Sequence, residues 1–331
     1  MGNKPHIVVI GTGALACLFG ARLSQVAAVT LLGTWTEQID AINGDGLRLR
    51  EMSGAESEFK LKTARFPDDV QSVQPADYAL VLVKSYQTAV AAERIKAIIK
   101  PNGVVLSLQN GLGNQEKLLH ALPFHMVSSG VTMQGANIVQ PGLVVHAGNG
   151  YSVIDDKPFL VGLKELMAEA GLLIQDYAEF GFQGIEAVLW HKLIINAAIN
   201  PLTALLDKPN GYLAQNKVAR RLCLQTTHEA LAVSQKEITF ETNSNSEQAW
   251  VRVVEQTKHN RSSMLQDVTN GRRTEIDSIC GEIVHRGRKS GMKAPINRLW
   301  LKLIQDYEAS GQRLEFTADE LSQLVNDYGV E

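Results

Sequence analysis

Lys192, Asn196 and Asn200 recur every fourth residue inside an otherwise apolar run over 186–206. Such spacing stacks side chains on one face of a helix. The remaining positions are Ala187, Val188, Leu189, Trp190, Leu193, Ile194, Ile195, Ala197, Ala198 and Ile199. A helix apolar all round is a buried one. An ammonium and two amides on its surface therefore meet internal partners, face a ligand, or mark a solvent-facing edge. His191 lies about a quarter-turn away and reads as structural. Pro201 removes a helical hydrogen bond and is expected to kink the helix just past Asn200.

A carboxylate candidate follows at Glu275. The run Thr274-Glu275-Ile276-Asp277 has capping-box spacing, with Ile276, Ile279, Cys280, Ile283 and Val284 at helical intervals behind it. Glu275 then falls in a first helical turn, where the macrodipole favours its ionised form. From these residues alone it serves a ligand or only the helix end. Upstream, Asn260-Arg-Ser262-Ser263-Met-Leu-Gln266 offers a capping box at either serine, and Gly271 ends that helix. Thr317-Ala-Asp-Glu320 repeats the cap before a short terminal helix without evident chemistry.

These groups need a scaffold, and the first half of the chain supplies its pattern. Ile7–Ile10 is a β-branched strand leading into Gly11-Thr12-Gly13-Ala14-Leu15-Ala16, the dinucleotide fingerprint with alanine third, and then a helix over 15–26. The first glycine permits the tight turn and the second lets backbone approach a pyrophosphate. The small third residue packs helix on strand, and the helix N-terminus offers free N–H groups. Further strands are expected at Val29–Leu32, Tyr78–Val83 and Val104–Leu108. Lys84 and Asn110 follow the last two, where parallel sheets bind ligands; equally, Lys84 is solvated and Asn110 supplies a turn. Val127–Met133 and Leu143–His146, around the Gln140-Pro141-Gly142 turn, suggest a hairpin-like end to the sheet. The expected fold is an α/β Rossmann-type doubly wound sheet over 1–182, plus an all-α domain over 183–331.

Composition narrows the function class. The 331 residues are 45% apolar and 20% charged, and the net charge of −3 comes with no dense basic block. Nucleic acid and membrane are thus not expected partners. No apolar stretch is long enough to span a bilayer, and no targeting segment, repeat or low-complexity tract is evident. Cys17, Cys223 and Cys280 lack metal-ligand or disulfide spacing, which fits a cytoplasmic protein and small buried thiols.

Five segments together carry a family resemblance: Gly11–Ala16; Val83-Lys84-Ser85; Gln109-Asn110-Gly111-Leu-Gly113; the run 189–204; and Ser262–Asp267 followed by Arg273–Asp277. Over about residues 5–310 the chain resembles the ketopantoate reductases (2-dehydropantoate 2-reductases); the segment after about 310 stays unassigned. The resemblance implies NADPH-dependent reduction of 2-dehydropantoate to (R)-pantoate in pantothenate and coenzyme A biosynthesis, without a metal. It makes Lys192 the catalytic lysine and Glu275 the essential acidic residue. Asn110, Asn196, Asn200, Asn260 and Ser263 become substrate-side positions. Gly11, Thr12, Gly13, Ala14, Leu15, Ala16, Thr34, Lys84 and Asn110 fall on the cofactor side.

That chemistry suits these residue types. Hydride arriving at a ketone carbon leaves charge on oxygen, which calls for a cationic donor and then a proton. Burial would lower the pKa of Lys192 while the Glu275 carboxylate would raise it. One position departs from the pattern. The arginine expected for a 2′-phosphate falls at Thr34, within Gly33-Thr34-Trp35-Thr36. With no carboxylate at that strand end either, NADPH remains the first expectation and NADH stays open; the threonine hydroxyls and Gly33 are read as leaving room for the phosphate. Alternatives are a reductase of another branched 2-oxo acid and a non-catalytic NADP-binding regulator. A homodimer is compatible with the family.

Overall fold

The computed structural model describes residues 4–238, 246–311 and 315–328. It divides into two compact units, Met1–Gln109 with Gly113–Val188, and Asn110–Leu112 with Leu189–Glu331. No described helix is long and apolar enough to cross a membrane.

The strands of the first unit are β1 (His6–Ile10), β2 (Ala28–Gly33), β3 (Leu47–Arg50), β4 (Glu56–Phe59), β5 (Lys62–Arg65), β6 (Ala76–Val81), β7 (Ile99–Ser107), β8 (Met126–Thr132), β9 (Gly135–Gln140), β10 (Leu143–Gly148), β11 (Ser152–Ile154) and β12 (Ile174–Gln175). Its helices are α1 (Ala14–Leu23), α2 (Thr36–Asp45), α3 (Thr88–Ile98), α4 (Asn114–Ala121) and α5 (Val161–Glu169). The main sheet runs β12-β11-β8-β7-β6-β1-β2-β5, parallel from β8 to β5. Along β1, Ile7 and Val9 enter one core while Val8 and Ile10 enter the other. This is the alternation of a strand covered on both faces. The chain winds outward both ways from β1, which makes its carboxyl end the switch point where such sheets take ligands. The fold is thus the expected Rossmann-type doubly wound sheet.

A hairpin forms around the expected turn, but not between the expected segments and not at the end of that sheet. Leu143–Gly148 pairs antiparallel with Gly135–Gln140, and both join β3 and β4 in a separate four-stranded sheet. The expected segment Val127–Met133 falls instead on β8 of the main sheet, which ends at Thr132. Two consecutive alternating runs carry no signal of which sheet each one joins.

The second unit is all helical: α6 (Ile185–Leu206, entering it at Leu189), α7 (Tyr212–Gln215), α8 (Lys217–Ser234), α9 (Ser246–Gln256), α10 (Ser263–Thr269), α11 (Cys280–Lys289), α12 (Pro295–Ser310) and α13 (Ala318–Tyr328). Leu193, Ala197, Ala198, Leu202 and Leu205 of α6 are essentially inaccessible. The helix continues through Pro201 to Leu206. The terminal cap is reciprocal: the Thr317 N–H donates to Glu320 (2.8 Å) and the Glu320 N–H to Thr317 (3.2 Å). Cys17, Cys223 and Cys280 are buried and unbridged, and burial raises all three thiol pKa values.

Glu229, on α8, holds the start of α12. Its carboxylate accepts from the backbone N–H groups of Ile296 (3.0 Å) and Asn297 (2.9 Å) and from the Asn297 side chain (2.9 Å). Replacing Glu229 with Ala leaves those donors without their acceptor. Glu229→Ala is expected to lower unfolding free energy by about 2–3 kcal/mol. Urea denaturation monitored by circular dichroism measures it, and a loss below about 0.5 kcal/mol would show the contact to be idle.

Candidate active site

The first unit carries an open glycine turn between β1 and α1. Gly11 adopts φ +130°, a conformation that excludes L side chains, and its N–H donates to Leu32 O (2.8 Å). Gly13 is exposed, and nothing lies within 4 Å of where a Cβ would be. Backbone there is open to a close-approaching group. Among the described residues no side chain caps α1, so its first N–H groups, on Ala14, Leu15 and Ala16, point outward for an anion. Ala16 is fully buried. These features fit a dinucleotide pyrophosphate.

The room read at Gly33 is not there. A Cβ on Gly33 would lie 2.5 Å from the Thr12 methyl carbon, because the buried Thr12 side chain occupies that space. Gly33 is small to admit Thr12, not a phosphate. Thr34 follows as an exposed bend, with half-buried Trp35 leading into α2.

Lys84, half-buried, opens the short 3₁₀ turn Ser85–Gln87 after β6. The side chain of Gln109 fixes that strand end, donating to Val83 O (3.0 Å) and to Thr88 Oγ1 (3.0 Å). Residue types alone did not single out Gln109 or Thr88.

The second unit carries the charged centre. Lys192 and Asn196 are half-buried and Asn200 is buried, all on α6. The next residue on that face is Thr203, fully buried, whose hydroxyl donates to Ser262 Oγ at 2.7 Å. Ser262 in turn caps α10, accepting from the Leu265 N–H (3.1 Å). The serine that caps is therefore Ser262, which leaves Ser263 exposed as the first helical residue. Asn260 is exposed, and its carbonyl accepts from the Asn210 N–H (3.0 Å). Thr203 thus ties the loop bearing Asn260 and Ser263 to the Lys192 helix, a role its type alone did not reveal.

Glu275 departs from its expected place in an α-helical first turn. It precedes a 3₁₀ turn, Ile276–Ser278, and α11 begins only at Cys280. Thr274 Oγ1 accepts from the Ile276 N–H (3.2 Å), two residues on, rather than closing a capping box. The loop is pinned from α12: the Thr274 N–H donates to Glu308 (2.7 Å), and Gln305 to Asp277 (2.7 Å). The result is a carboxylate only 6% exposed, accepting from Asn110 Nδ2 at 3.2 Å. Asn110 is brought there by Gly111, at φ +83°, where any side chain would collide with the Ser278 backbone. The Leu112 N–H donates to Ser278 O at 3.1 Å.

Charge in this centre is set by opposing effects. Burial pushes the Lys192 ammonium from 10.5 down to about 8, while the Glu275 carboxylate pulls upward. Burial wins, and Lys192 still holds most of its proton at neutral pH. His191 next to it is pushed to about 4 by burial, with the Arg252 charge adding to the effect. His191 is thus neutral at pH 7, and of the two it is Lys192 that still carries a proton to give. The unit offers a proton-bearing ammonium, a buried carboxylate and three amides, the equipment for protonating an oxygen that gains charge.

Comparison with known proteins gives a consistent pattern. Residues 7–158 match the family described as ketopantoate reductase PanE/ApbA, and residues 184–308 match its C-terminal counterpart. The 2-dehydropantoate 2-reductase of Archaeoglobus fulgidus is 33% identical over 309 residues, spanning 92% of this chain and 98% of that one. That of Halobacterium salinarum is 33% identical over 315 residues, spanning 92% and 100%. Among solved structures, a PanE/ApbA family ketopantoate reductase from Ralstonia eutropha superposes with TM-score 0.83 at 30% identity, over 92% of this chain and 99% of that one. D-Mandelate dehydrogenase with NADH and anilino(oxo)acetate superposes with TM-score 0.83 at 26% identity, over 92% and 98%.

Selective ¹³C-methylation of lysines followed by NMR titration reads the Lys192 ammonium directly. A resonance absent from Lys192→Arg should titrate near pH 8, and in Glu275→Gln it should titrate at lower pH because the attractive carboxylate is gone. Titration near 10.5 in both proteins would contradict the assignment.

Proposed function

The chain belongs to the ketopantoate reductase family, and from that premise we propose that it reduces 2-dehydropantoate to (R)-pantoate with NADPH, using Lys192 as the general acid. One observation carries this reading: a half-buried lysine on an apolar helix, electrostatically coupled to a buried carboxylate that Asn110 orients. The fingerprint turn Gly11–Ala16 holds the pyrophosphate, and Lys84, Thr34 and Asn110 serve the cofactor elsewhere. When bound, the reduced dinucleotide supplies the hydride.

The chain's own residues do the rest. Lys192 donates a hydrogen bond to the 2-oxo oxygen and gives up a proton as charge builds there. A pKa near working pH keeps the proton available and makes its release cheap. Glu275 keeps Lys192 charged against the pull of burial and accepts from a substrate hydroxyl. Asn196 and Asn200, on the same stripe, with Asn260 and Ser263 from the loop that Thr203 anchors, orient the hydroxy-keto acid.

A second reading has its own support. The similarity to D-mandelate dehydrogenase equals that to the Ralstonia reductase by TM-score, which favours considering another branched 2-oxo acid as substrate. Steady-state kinetics over a panel of 2-oxo acids, with NADPH and NADH, separates the two. The expected result is highest kcat/KM with 2-dehydropantoate and NADPH, with kcat falling roughly 10²- to 10⁴-fold in Lys192→Ala. Turnover of 2-dehydropantoate no better than that of Lys192→Ala would contradict the proposal, and a higher kcat/KM for another acid would establish the second reading.

A further inference from the structure

We propose that Arg65 is the group that recognises a 2′-phosphate on the cofactor's adenosine ribose, standing in for the arginine that this chain lacks at Thr34. The inference rests on the NADPH reading above and deepens it. The strand ladder carries the argument. Parallel pairing of β2 with β5 sets Arg65 opposite Gly33, and the Phe66 N–H donates to Gly33 O at 2.9 Å. The Arg65 backbone is therefore one strand spacing, about 4.8 Å, from the residue preceding Thr34.

Side-chain alternation then aims it. Ala64 packs into the core shared with α3, whereas Thr63 and Arg65 turn the other way. Thr63 Oγ1 donates to Asn43 of α2 (2.7 Å), and the Arg65 guanidinium pairs with Asp40 of the same helix. Asp40 lies one turn beyond Thr36, the first residue of α2. A turn is about 5.4 Å, so a small swing of a long side chain carries the guanidinium from Asp40 to the Thr34–Thr36 bend. Since Thr12 fills the space over Gly33, a ribose substituent at this strand end has to lie outward, on that same bend.

Arg65 has capacity to spare. Its Nε is buried with no hydrogen-bond partner among the described residues, while its side chain as a whole is 38% exposed. Asp40 is 57% exposed, so the pair is a surface one and easily exchanged. A phosphate takes two parallel N–H bonds from a guanidinium and carries more charge than a single carboxylate. In the absence of phosphate, Asp40 keeps the guanidinium beside the bend.

Binding of adenosine 2′,5′-bisphosphate and of AMP to the full-length protein, measured by calorimetry, tests this without turnover. The wild type should prefer the bisphosphate. Arg65→Gln should weaken bisphosphate binding about 10- to 100-fold and leave AMP binding unchanged. Asp40→Asn should strengthen bisphosphate binding by releasing the guanidinium. Thermal melting checks that each variant is folded. A wild-type preference that survives in Arg65→Gln overturns the inference and leaves the NADPH reading standing. Equal losses for both ligands also overturn it. No preference in the wild type removes the NADPH reading and the inference together, and weaker AMP binding in Asp40→Asn assigns Asp40 to the ribose hydroxyls instead.

Discussion

An ammonium packed into an apolar helix is unstable as a cation unless something nearby compensates it, and the second unit is organised around that problem. Lys192 has neighbours such as Leu193 and Ile195 that cannot solvate it. Burial lowers the proton affinity, the Glu275 carboxylate raises it, and the pKa settles near 8. The compensation is partial, and that is useful. For the proposed general acid, stronger compensation would make the proton harder to give up, and weaker compensation would leave less of the lysine protonated. The surrounding contacts follow from the need to keep one carboxylate in place. The 3₁₀ turn after Glu275, the clamps from Glu308 and Gln305, and the Asn110 amide all act on that carboxylate or its loop.

The first unit meets a different demand, which is to leave space. Gly13 is bare where the proposed pyrophosphate would approach, and Gly11 takes a backbone conformation that L side chains rarely adopt. Gly33, at the strand end where a cofactor ribose is proposed, does not make room for it. Its missing side chain accommodates Thr12, and under the proposal for Arg65 the ribose is read further out, at the Thr34 bend and the neighbouring strand.

Much of this was legible in the sequence because period and position are local. The fourfold spacing of Lys192, Asn196 and Asn200 needed only the helix, and the glycine turn needed only its flanking strand and helix. What escaped depended on pairing between distant segments. Nothing in the local run distinguishes the Leu143–Gly148 strand as a member of a second sheet. Thr274 looked like an α-helical cap because capping-box spacing and a two-residue turn begin alike, and only the contacts from α12 decide between them. Thr203 and Arg65 were invisible for the same reason: one matters through a serine 59 residues away, the other through strand register.

In the proposed reduction Lys192 must be protonated to act, and Glu275 raises its proton affinity. The pH dependence of kcat/KM for 2-dehydropantoate reduction, wild type against Glu275→Gln, measures this in the free enzyme. The wild-type profile is expected to be level through neutrality and to fall as pH rises through about 8, with the falling limb displaced to lower pH in Glu275→Gln. A profile that stays level well past that pH, or a limb that Glu275→Gln leaves in place or moves upward, would contradict the proposal.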